Sequence, residues 1–394
     1  MDSPAPALLR LECSICGAEH SPEELQTICR ACGRALFARY DLELAKRMLT
    51  RENLRVRPAS MWRYAEVMAG SDVADRVSLG EGMTPLLRAP RLGADLGARA
   101  LWVKDEGGNP TGSFKARGIA AAMAMALKLG VTEIGMPTAG NAGSAAAAYG
   151  ARCGIRAHIA MPQDTPEGIV SEVRAFGAAL QLVDGLISDA GRVIAEQCRA
   201  QGWFEMATLK EPYRVEGKKT MGYELWEQMD GDLPDAILYP TGGGTGLIGM
   251  WKAFDELEQM GLTGAERPRM FAVQSDGCAP IVRAWEAGAA RAAPWQDAAT
   301  VAPGIRVPAP FADDLILGAL RASNGGAVAI ADGAIVPAMR QMARREGIDA
   351  CPEGAATLLG LERLLSEGVL ERDSRIVLFN TGSGLKHPEL RPTA

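Results

Sequence analysis

The chain has 394 residues, of which 47% are hydrophobic, so it can bury two domains and an appendage rather than one core. Its net charge of −6 argues against a nucleic-acid partner, since phosphate backbones are bound by clustered lysine and arginine. No run of eighteen apolar residues and no signal-peptide pattern occurs, so we expect a cytoplasmic protein without a membrane segment.

The first segment, residues 1–36, contains two C-x-x-C pairs separated by twelve residues. The pairs are Cys13 with Cys16 and Cys29 with Cys32, and each is followed by a glycine-bearing turn. Such pairs present four thiolates tetrahedrally to Zn²⁺, and four thiolates leave no open coordination position. The pattern therefore predicts a zinc ribbon with a structural zinc ion. Disulfides and chance pairing are the alternatives.

The body of the chain has an alternating α/β pattern, in which short β-rich runs are separated by alanine-rich helical runs. This rhythm predicts an α/β fold of parallel strands joined by crossover helices. The predicted strands are 101–104, 131–136, 155–161, 179–183, 236–239, 270–274 and 375–379. The predicted crossover helices include 118–129, 144–152 and 246–260. An Ala/Pro-rich region at 288–311 predicts a long connection over the surface.

The segment N-P-T-G-S-F-K-A-R-G, residues 109–118, places Lys115 where a loop becomes a helix. Burial near a helix N-terminus lowers the pKa of a lysine, and a deprotonated lysine is a nucleophile and a base. Lys115 is therefore a candidate for covalent chemistry. The alternative is an ordinary solvated lysine.

Two glycine-bearing loops follow predicted strands, where ligands of open parallel sheets bind. In T-A-G-N-A-G-S, residues 138–144, backbone amides can face a carboxylate, and Asn141 offers a neutral donor. In P-T-G-G-G-T-G-L-I-G, residues 240–249, the amides and hydroxyls suit a phosphate monoester. The predicted phosphate-binding residues are Thr241, Gly242, Gly243, Gly244 and Thr245.

Each of these loops has an alternative interpretation. Gly-Asn is a common turn, so the first is also compatible with a plain loop. In the second, Gly244, Gly246 and Gly249 match the dinucleotide pattern G-x-G-x-x-G. In dinucleotide-binding domains that pattern normally comes first, and its acidic residue follows it more closely than Asp276 does here. We therefore favour a monophosphate over a dinucleotide.

A third loop, N-T-G-S-G-L-K at 380–386, follows the last predicted strand. A neutral hydroxyl such as Thr381 or Ser383 facing a pyridine nitrogen would leave that nitrogen largely unprotonated. The loop is equally compatible with a C-terminal turn.

The order of these motifs resembles the fold-type II pyridoxal-phosphate enzymes, and specifically the threonine synthases, from about residue 81 to 386. The resemblance implies two open, twisted, mostly parallel sheet domains after the zinc ribbon. It divides the chain into a ribbon at 1–36, a connector with part of the large cofactor domain at 37–125, a smaller α/β domain at 126–215, and the rest of the large domain at 216–394. It also suggests a homodimer.

The same resemblance assigns a role to each loop. Lys115 would form an imine with pyridoxal 5′-phosphate and would act as the base. Asn141 would hydrogen-bond the ring hydroxyl, residues 241–245 would hold the cofactor phosphate, and Thr381 would meet the ring nitrogen. The substrate would be a small amino acid, O-phosphohomoserine, which reacts with water to give threonine and phosphate. Amides at 139–143 would bind its carboxylate.

One residue departs from the pattern of many threonine synthases, which have aspartate after the lysine where this chain has Ala116. K-A-R-G is closer to the amino-acid dehydratases, so a serine or threonine dehydratase, or a β-replacement enzyme acting on a phosphorylated amino acid, is the alternative. Cations for a second phosphate are few, with Arg174, Lys218 and Lys219 as candidates. The alternative, which we favour for Lys218 and Lys219, is a solvated pair at a helix start, since exposed lysines are abundant. A hypothesis from another class is a zinc-ribbon nucleic-acid module fused to a dinucleotide-binding domain.

Overall fold

The computed structural model describes residues 7–391. Its strands are β1 (Leu8–Cys13), β2 (Glu19–His20), β3 (Leu36–Tyr40), β4 (Leu86–Arg88), β5 (Ala100–Asp105), β6 (Glu133–Pro137), β7 (Arg156–Pro162), β8 (Ala179–Val183), β9 (Phe204–Glu205), β10 (Ala236–Pro240), β11 (Arg269–Ser275), β12 (Gly326–Ile330) and β13 (Arg375–Asn380).

The helices of the same region separate most of these strands. They are α1 (Leu42–Met48), α2 (Arg51–Val56), α3 (Ala74–Val77), α4 (Pro90–Leu96), α5 (Lys115–Lys128), α6 (Asn141–Cys153), α7 (Glu167–Ala175), α8 (Ile187–Gln201), α9 (Arg214–Gln228), α10 (Thr245–Gln259), α11 (Pro280–Glu286), α12 (Asp313–Ala322), α13 (Ile335–Glu346) and α14 (Pro352–Ser366). None of the described helices is long and apolar enough to cross a membrane.

The strands form three sheets. An antiparallel sheet of order β2-β1-β3 makes the N-terminal ribbon, and its last strand ends at Tyr40, four residues beyond the predicted limit of 36. A six-stranded sheet has the order β12-β11-β10-β13-β5-β4, and only its edge strand β4 is antiparallel. A parallel four-stranded sheet has the order β8-β7-β6-β9. The predicted α/β architecture with two mostly parallel sheets is therefore confirmed.

The four-stranded sheet lies wholly within 126–215, and the six-stranded sheet combines strands from 37–125 and 216–394. The domain division given above stays a prediction. All seven predicted strands are present. Within the six-stranded sheet, the longest strand that the sequence did not predict is β12, whose G-A-V-A-I sequence is rich in the small residues that are poor strand formers.

Alanine explains how the helices between the sheets pack. In α5 every residue from Ala116 to Ala126 is buried, and α6 is buried from Ala142 to Gly150. Small side chains let α5 pack closely against both α6 and α9. This packing matters for function because the first residues of α5 and α6 face the space between the two sheets.

Candidate active site

A cavity of about 800 Å³ lies between the two parallel sheets. Its lining includes residues that follow the carboxyl ends of three parallel strands: Thr138 after β6, Gly242 after β10 and Thr381 after β13. Loops at these ends are where open parallel sheets bind ligands. The three glycine-bearing loops selected from the sequence are therefore brought together in one cavity.

Lys115 is the first residue of α5 and lines this cavity. Its loop is fixed to the C-terminal loop, because Ser113 forms a β-bridge with Gly382 and the Phe114 amide donates to the Thr381 carbonyl at 3.0 Å. The Lys115 Nζ lies 4.5 Å from the centroid of the Phe114 ring. Two segments that are distant in sequence thus form one wall of the site.

The electrostatic environment of Lys115 favours its neutral form. Burial, and then the nearby Arg214 guanidinium, lower its pKa to about 8, although the Glu353 carboxylate opposes them. The positive end of the α5 dipole acts in the same direction as burial. About a tenth of this amine is therefore deprotonated at pH 7, and the neutral form that a nucleophile or base requires becomes the major one above about pH 8.

Asn141 is the first residue of α6 and lines the same cavity. Its Oδ1 atom is buried and has no hydrogen-bond partner among the described residues. A buried amide oxygen without a partner is costly, so it points to a polar ligand group that this side chain would meet. This is the arrangement expected if Asn141 contacts a cofactor.

The triglycine loop has no room for side chains. A Cβ on Gly242 would lie 2.8 Å from the Gly304 carbonyl oxygen, and one on Gly246 would lie 2.0 Å from the Tyr239 hydroxyl. Gly244 adopts φ 74°, a left-handed conformation that favours glycine, immediately before α10 begins at Thr245. Backbone amides at the α10 N-terminus therefore face the cavity without obstruction, as an anion site requires.

Thr241 is placed differently from its neighbours. It is fully buried, its Oγ1 donates to the Tyr239 carbonyl at 2.8 Å, and it is absent from the cavity lining, which includes Gly242, Gly243, Gly244 and Thr245. Its hydroxyl thus bonds within the turn that follows β10. The Thr241 hydroxyl therefore lies outside the cavity that the other predicted phosphate-binding residues line.

Thr381 and Ser383 follow β13, and Thr381 lines the cavity. The Thr381 Oγ1 lies 3.7 Å from the Cys351 thiol sulfur at the start of α14. Burial, and then the nearby Glu353 carboxylate, raise the pKa of this thiol well above its usual range, so Cys351 stays neutral. The Ser383 hydroxyl instead accepts from the Leu385 amide at 3.2 Å, and Ser383 is not part of the cavity lining. Of the two predicted hydroxyls, Thr381 is therefore the one that belongs to the cavity.

Several cavity residues were not predicted from the sequence. Glu353 is 5% exposed, lines the cavity and accepts from the Gly304 amide at 2.7 Å. This bond holds the connection at 288–311 beside the triglycine loop, where it lines part of the cavity. Most of the connection is exposed or half-buried, so the predicted long connection over the surface is confirmed. The C-P-E-G sequence at the start of a helix, with a cysteine and a carboxylate two residues apart, was the available signal.

The cavity also contains cations that lie outside the predicted set. These are Arg192, Lys210, Arg214 and Arg306, in addition to Lys115. Three of them have carboxylate partners: Arg192 lies 2.9 Å from Asp189, Lys210 lies 3.7 Å from Glu205, and Arg306 lies 2.9 Å from Asp164. Arg214 forms no ion pair among residues 7–391, its Nε has no partner, and its Nη1 donates to the Met206 carbonyl.

The sequence candidates for a second phosphate lie elsewhere. Arg174 is exposed on α7, beside Glu167 at 3.9 Å, and Lys219 is buried in ion pairs with Glu216 and Glu256. Lys218 is also buried. None of the three lines the cavity. The expectation that Lys218 and Lys219 form a solvated pair is therefore wrong, because α9 is buried along most of its length.

A second cluster lies in the N-terminal ribbon, where the Sγ atoms of the four paired cysteines are all within 4.8 Å of one another. The Cys13 and Cys32 sulfurs are 3.3 Å apart, and those of Cys16 and Cys29 are 3.6 Å apart. These distances exceed a disulfide bond of about 2.05 Å. They are close to the sulfur separation of roughly 3.8 Å that tetrahedral zinc with Zn–S bonds of about 2.3 Å requires.

One protein family and several individual proteins are similar to this chain in sequence or structure. A family model described as "Pyridoxal-phosphate dependent enzyme" matches residues 77–382. The threonine synthase of Methanocaldococcus jannaschii is 36% identical over 96% of this chain and 93% of its own length. That of Methanosarcina acetivorans is 35% identical over 97% and 93%. Among solved structures, a fungal L-serine ammonia-lyase from Rhizomucor miehei is 25% identical and has a TM-score of 0.65, covering 78% of this chain and 96% of its own.

Proposed function

We propose that this chain, which belongs to the family of pyridoxal-phosphate dependent enzymes and within it to the threonine synthases, converts O-phosphohomoserine and water to threonine and phosphate. The observation that carries the proposal is the cavity itself. A lysine of lowered pKa, an amide-lined anion site and an unpaired buried arginine line one space of about 800 Å³. Membership of this family excludes a nucleic-acid module fused to a dinucleotide-binding domain.

The residues of the cavity fit pyridoxal phosphate. Lys115 would bind it covalently, and the buried Asn141 Oδ1 without a partner would meet a ring substituent. Amides of 242–245 at the α10 N-terminus would hold its phosphate, and Thr381 would offer a neutral hydroxyl to its ring nitrogen. When bound, the cofactor supplies an electron-withdrawing ring that stabilises negative charge left on substrate carbons after proton loss.

The chain's own groups then account for the proton transfers and for substrate binding. The Lys115 Nζ accepts the proton from the substrate Cα, because burial makes its neutral form accessible near pH 8. Backbone amides at 139–143, at the start of α6, receive the substrate carboxylate at a helix N-terminus. The same lysine nitrogen can return a proton later in the reaction.

Arg214 is our candidate for the substrate phosphate. It is 2% exposed, lines the cavity and forms no ion pair among the described residues. The nearby buried Glu211 carboxylate accepts from the Tyr213 and Arg214 backbone amides and forms no ion pair with the guanidinium. Phosphate is a partner that the planar donors of this guanidinium suit. Because Arg192, Lys210 and Arg306 already have carboxylate partners, Arg214 is the cation whose charge is open to a phosphate.

The dehydratase and β-replacement alternative rests on Ala116. This residue is completely buried in α5 and is not among the cavity residues. Its identity therefore affects helix packing rather than direct substrate contact. The unpaired Arg214 favours a substrate that carries its own phosphate, which serine and threonine lack.

Substrate assays distinguish these activities. The holoenzyme incubated with O-phosphohomoserine should release phosphate and form threonine in equal amounts, and it should form little keto acid from serine or threonine. Arg214→Met should lower kcat/KM for O-phosphohomoserine by at least about tenfold, because losing a buried partner of a charged group costs about 2–5 kcal/mol. Arg174→Met, an exposed arginine outside the cavity, is the matched control. Keto acid from serine with no phosphate release would favour the dehydratase.

We also propose that the cysteine cluster binds a structural zinc ion. Support comes from the four sulfurs within 4.8 Å of one another, which match the number of ligands of a structural tetrahedral site. Metal analysis of the purified protein should find about one zinc per chain, and Cys13→Ser should lose it. A homodimer and a cytoplasmic location stay predictions.

A further inference from the structure

Lys218 is an unusual buried lysine, because it faces carbonyl groups and no carboxylate. It lies on α9 and is 1% exposed. Its Nζ donates to the Phe114 carbonyl at 2.8 Å and to the Lys115 carbonyl at 3.1 Å. Among residues 7–391 it takes part in no ion pair. Its side chain therefore ends at the first turn of α5, where Lys115 begins the helix.

Two glycines allow α9 to come this close to α5. A Cβ on Gly118 would lie 2.5 Å from the Arg214 carbonyl oxygen and 2.7 Å from the Lys218 Nζ. A Cβ on Gly217 would lie 2.1 Å from the Arg117 carbonyl oxygen. The helices thus meet backbone to backbone, and Lys218 extends along that contact to the start of α5.

Lys218 and Lys115 also share an aromatic neighbour. The Lys218 Nζ lies 4.7 Å from the centroid of the Phe114 ring, and the Lys115 Nζ lies 4.5 Å from it. We propose that Lys218 is a positioning residue for Lys115: its hydrogen bonds fix the backbone of Phe114 and Lys115 and thereby the direction in which the reactive side chain enters the cavity. The inference rests on the proposed function, in which Lys115 binds the cofactor and moves the substrate proton.

The charges around Lys218 indicate that it acts as a neutral donor. Burial, followed by the positive charges of Lys115, Arg214 and Arg117, lowers the pKa of Lys218 well below its usual range, and the Glu106 carboxylate opposes them. Around Lys115 the facing charges are Arg214 and Glu353. A neutral amine has two N–H donors, which match the two carbonyl acceptors. A permanent cation at this position would instead repel a protonated Lys115.

Three substitutions separate positioning from other roles. Lys218→Met removes both donors, Lys218→Gln retains neutral N–H donors, and Lys218→Arg retains donors with a permanent charge. Lys128→Met, a lysine of α5 that is 41% exposed at the far end of the helix, is the control. Each holoenzyme is measured for kcat and KM, cofactor dissociation constant, and visible circular dichroism of the bound cofactor, which reports how the chromophore is held.

We expect Lys218→Met to lower kcat by at least about tenfold, since misplacing a reacting group by about 1 Å can cost about 100-fold. Its visible dichroism should change, while KM and cofactor affinity stay within about threefold, because other loops bind the phosphate groups. Lys218→Gln should recover most of the lost kcat, and Lys128→Met should match the wild type. If Lys218→Met does not fold, the same comparison is made between Lys218→Gln and Lys218→Arg.

Three results would overturn the inference. The first is wild-type kcat and dichroism in Lys218→Met, and the second is a loss in which cofactor affinity falls as much as kcat, as a purely structural role predicts. The third is an arginine variant more active than the glutamine variant, which would assign the role to charge. A wild-type protein that binds no pyridoxal phosphate would refute the proposed function instead, before any variant is compared.

Discussion

The hydroxyl of Tyr40 links the N-terminal ribbon to the catalytic body, and its removal by Tyr40→Phe gives a local prediction. Tyr40 is the last residue of β3 and is 7% exposed. Its hydroxyl donates to Glu216 Oε2 on α9 at 2.9 Å and accepts from the Ala69 amide at 3.1 Å. The Lys219 ammonium lies 4.0 Å from the centroid of its ring. The substitution keeps the ring and removes both hydrogen bonds.

The expected cost follows from these two bonds. A hydrogen bond to a charged group contributes about 1.5–3 kcal/mol, and a buried amide left unpaired costs about 1–3 kcal/mol. Because both effects act through one hydroxyl they do not add fully, and we expect about 3 kcal/mol for the local opening of this junction. Since about 1.4 kcal/mol corresponds to a factor of ten, the Ala69 amide should exchange about 100-fold faster.

Hydrogen–deuterium exchange of the Ala69 amide measures this effect directly. Tyr213→Phe is the matched control, because the Tyr213 hydroxyl is buried without a hydrogen-bond partner in the described chain. Tyr213→Phe should leave Ala69 exchange unchanged. Equal exchange rates in the Tyr40 variant and the wild type would show that this hydroxyl does not hold the ribbon on the body.

Three further predictions concern the cofactor and the metal. Gly246→Ala should weaken cofactor affinity, measured by equilibrium dialysis, by at least about tenfold, because its Cβ would lie 2.0 Å from the Tyr239 hydroxyl. Gly168→Ala is the control, because Gly168 has open space on α7 and does not line the cavity. In the apoprotein, the rate of imine formation with pyridoxal phosphate should rise about tenfold per pH unit until the pH reaches the lowered pKa of Lys115, which is about 8, and should then level off. A rate that keeps rising up to the ordinary lysine pKa of 10.5 would contradict the burial argument. Chelation of the proposed zinc should speed proteolysis of the ribbon and spare cofactor binding, and loss of the cofactor absorbance on chelation would contradict a structural role.

The sequence was sufficient to predict the elements that carry their own local signal. The strand-loop-helix order around Lys115, Asn141 and Gly244 was predictable, because glycine loops between apolar strands and alanine-rich helices are local patterns. The paired cysteines at 13, 16, 29 and 32 likewise lie together, as their spacing predicts. The loops after β5, β10 and β13 must then meet at the carboxyl edge of one parallel sheet, so their convergence followed from topology. The Asn141 loop follows β6 of the other sheet, so its approach depends on how the two sheets pack.

Properties that depend on tertiary burial were not predictable. Lys218 and Lys219 are adjacent in sequence and look like solvated lysines, yet one donates to carbonyls at 2.8 and 3.1 Å and the other lies in an ion cluster. Thr241 appears equivalent to Thr245 in the loop sequence, but the turn after β10 directs its hydroxyl to the Tyr239 carbonyl. Glu353 meets the triglycine loop only through the connection at 288–311. The Lys218 and Glu353 contacts depend on long-range packing that no local pattern encodes, whereas the Thr241 bond depends on the conformation of a turn of two residues.

The most direct test of the central claim is to locate the covalent bond to the cofactor. The purified holoenzyme is reduced with borohydride, digested and analysed by mass spectrometry, and Lys115→Ala is treated in parallel. We predict one pyridoxyl adduct, on the peptide that contains Lys115, together with threonine formation from O-phosphohomoserine by the unreduced enzyme and none by the variant. An adduct on another lysine, or full turnover by Lys115→Ala, would contradict the account.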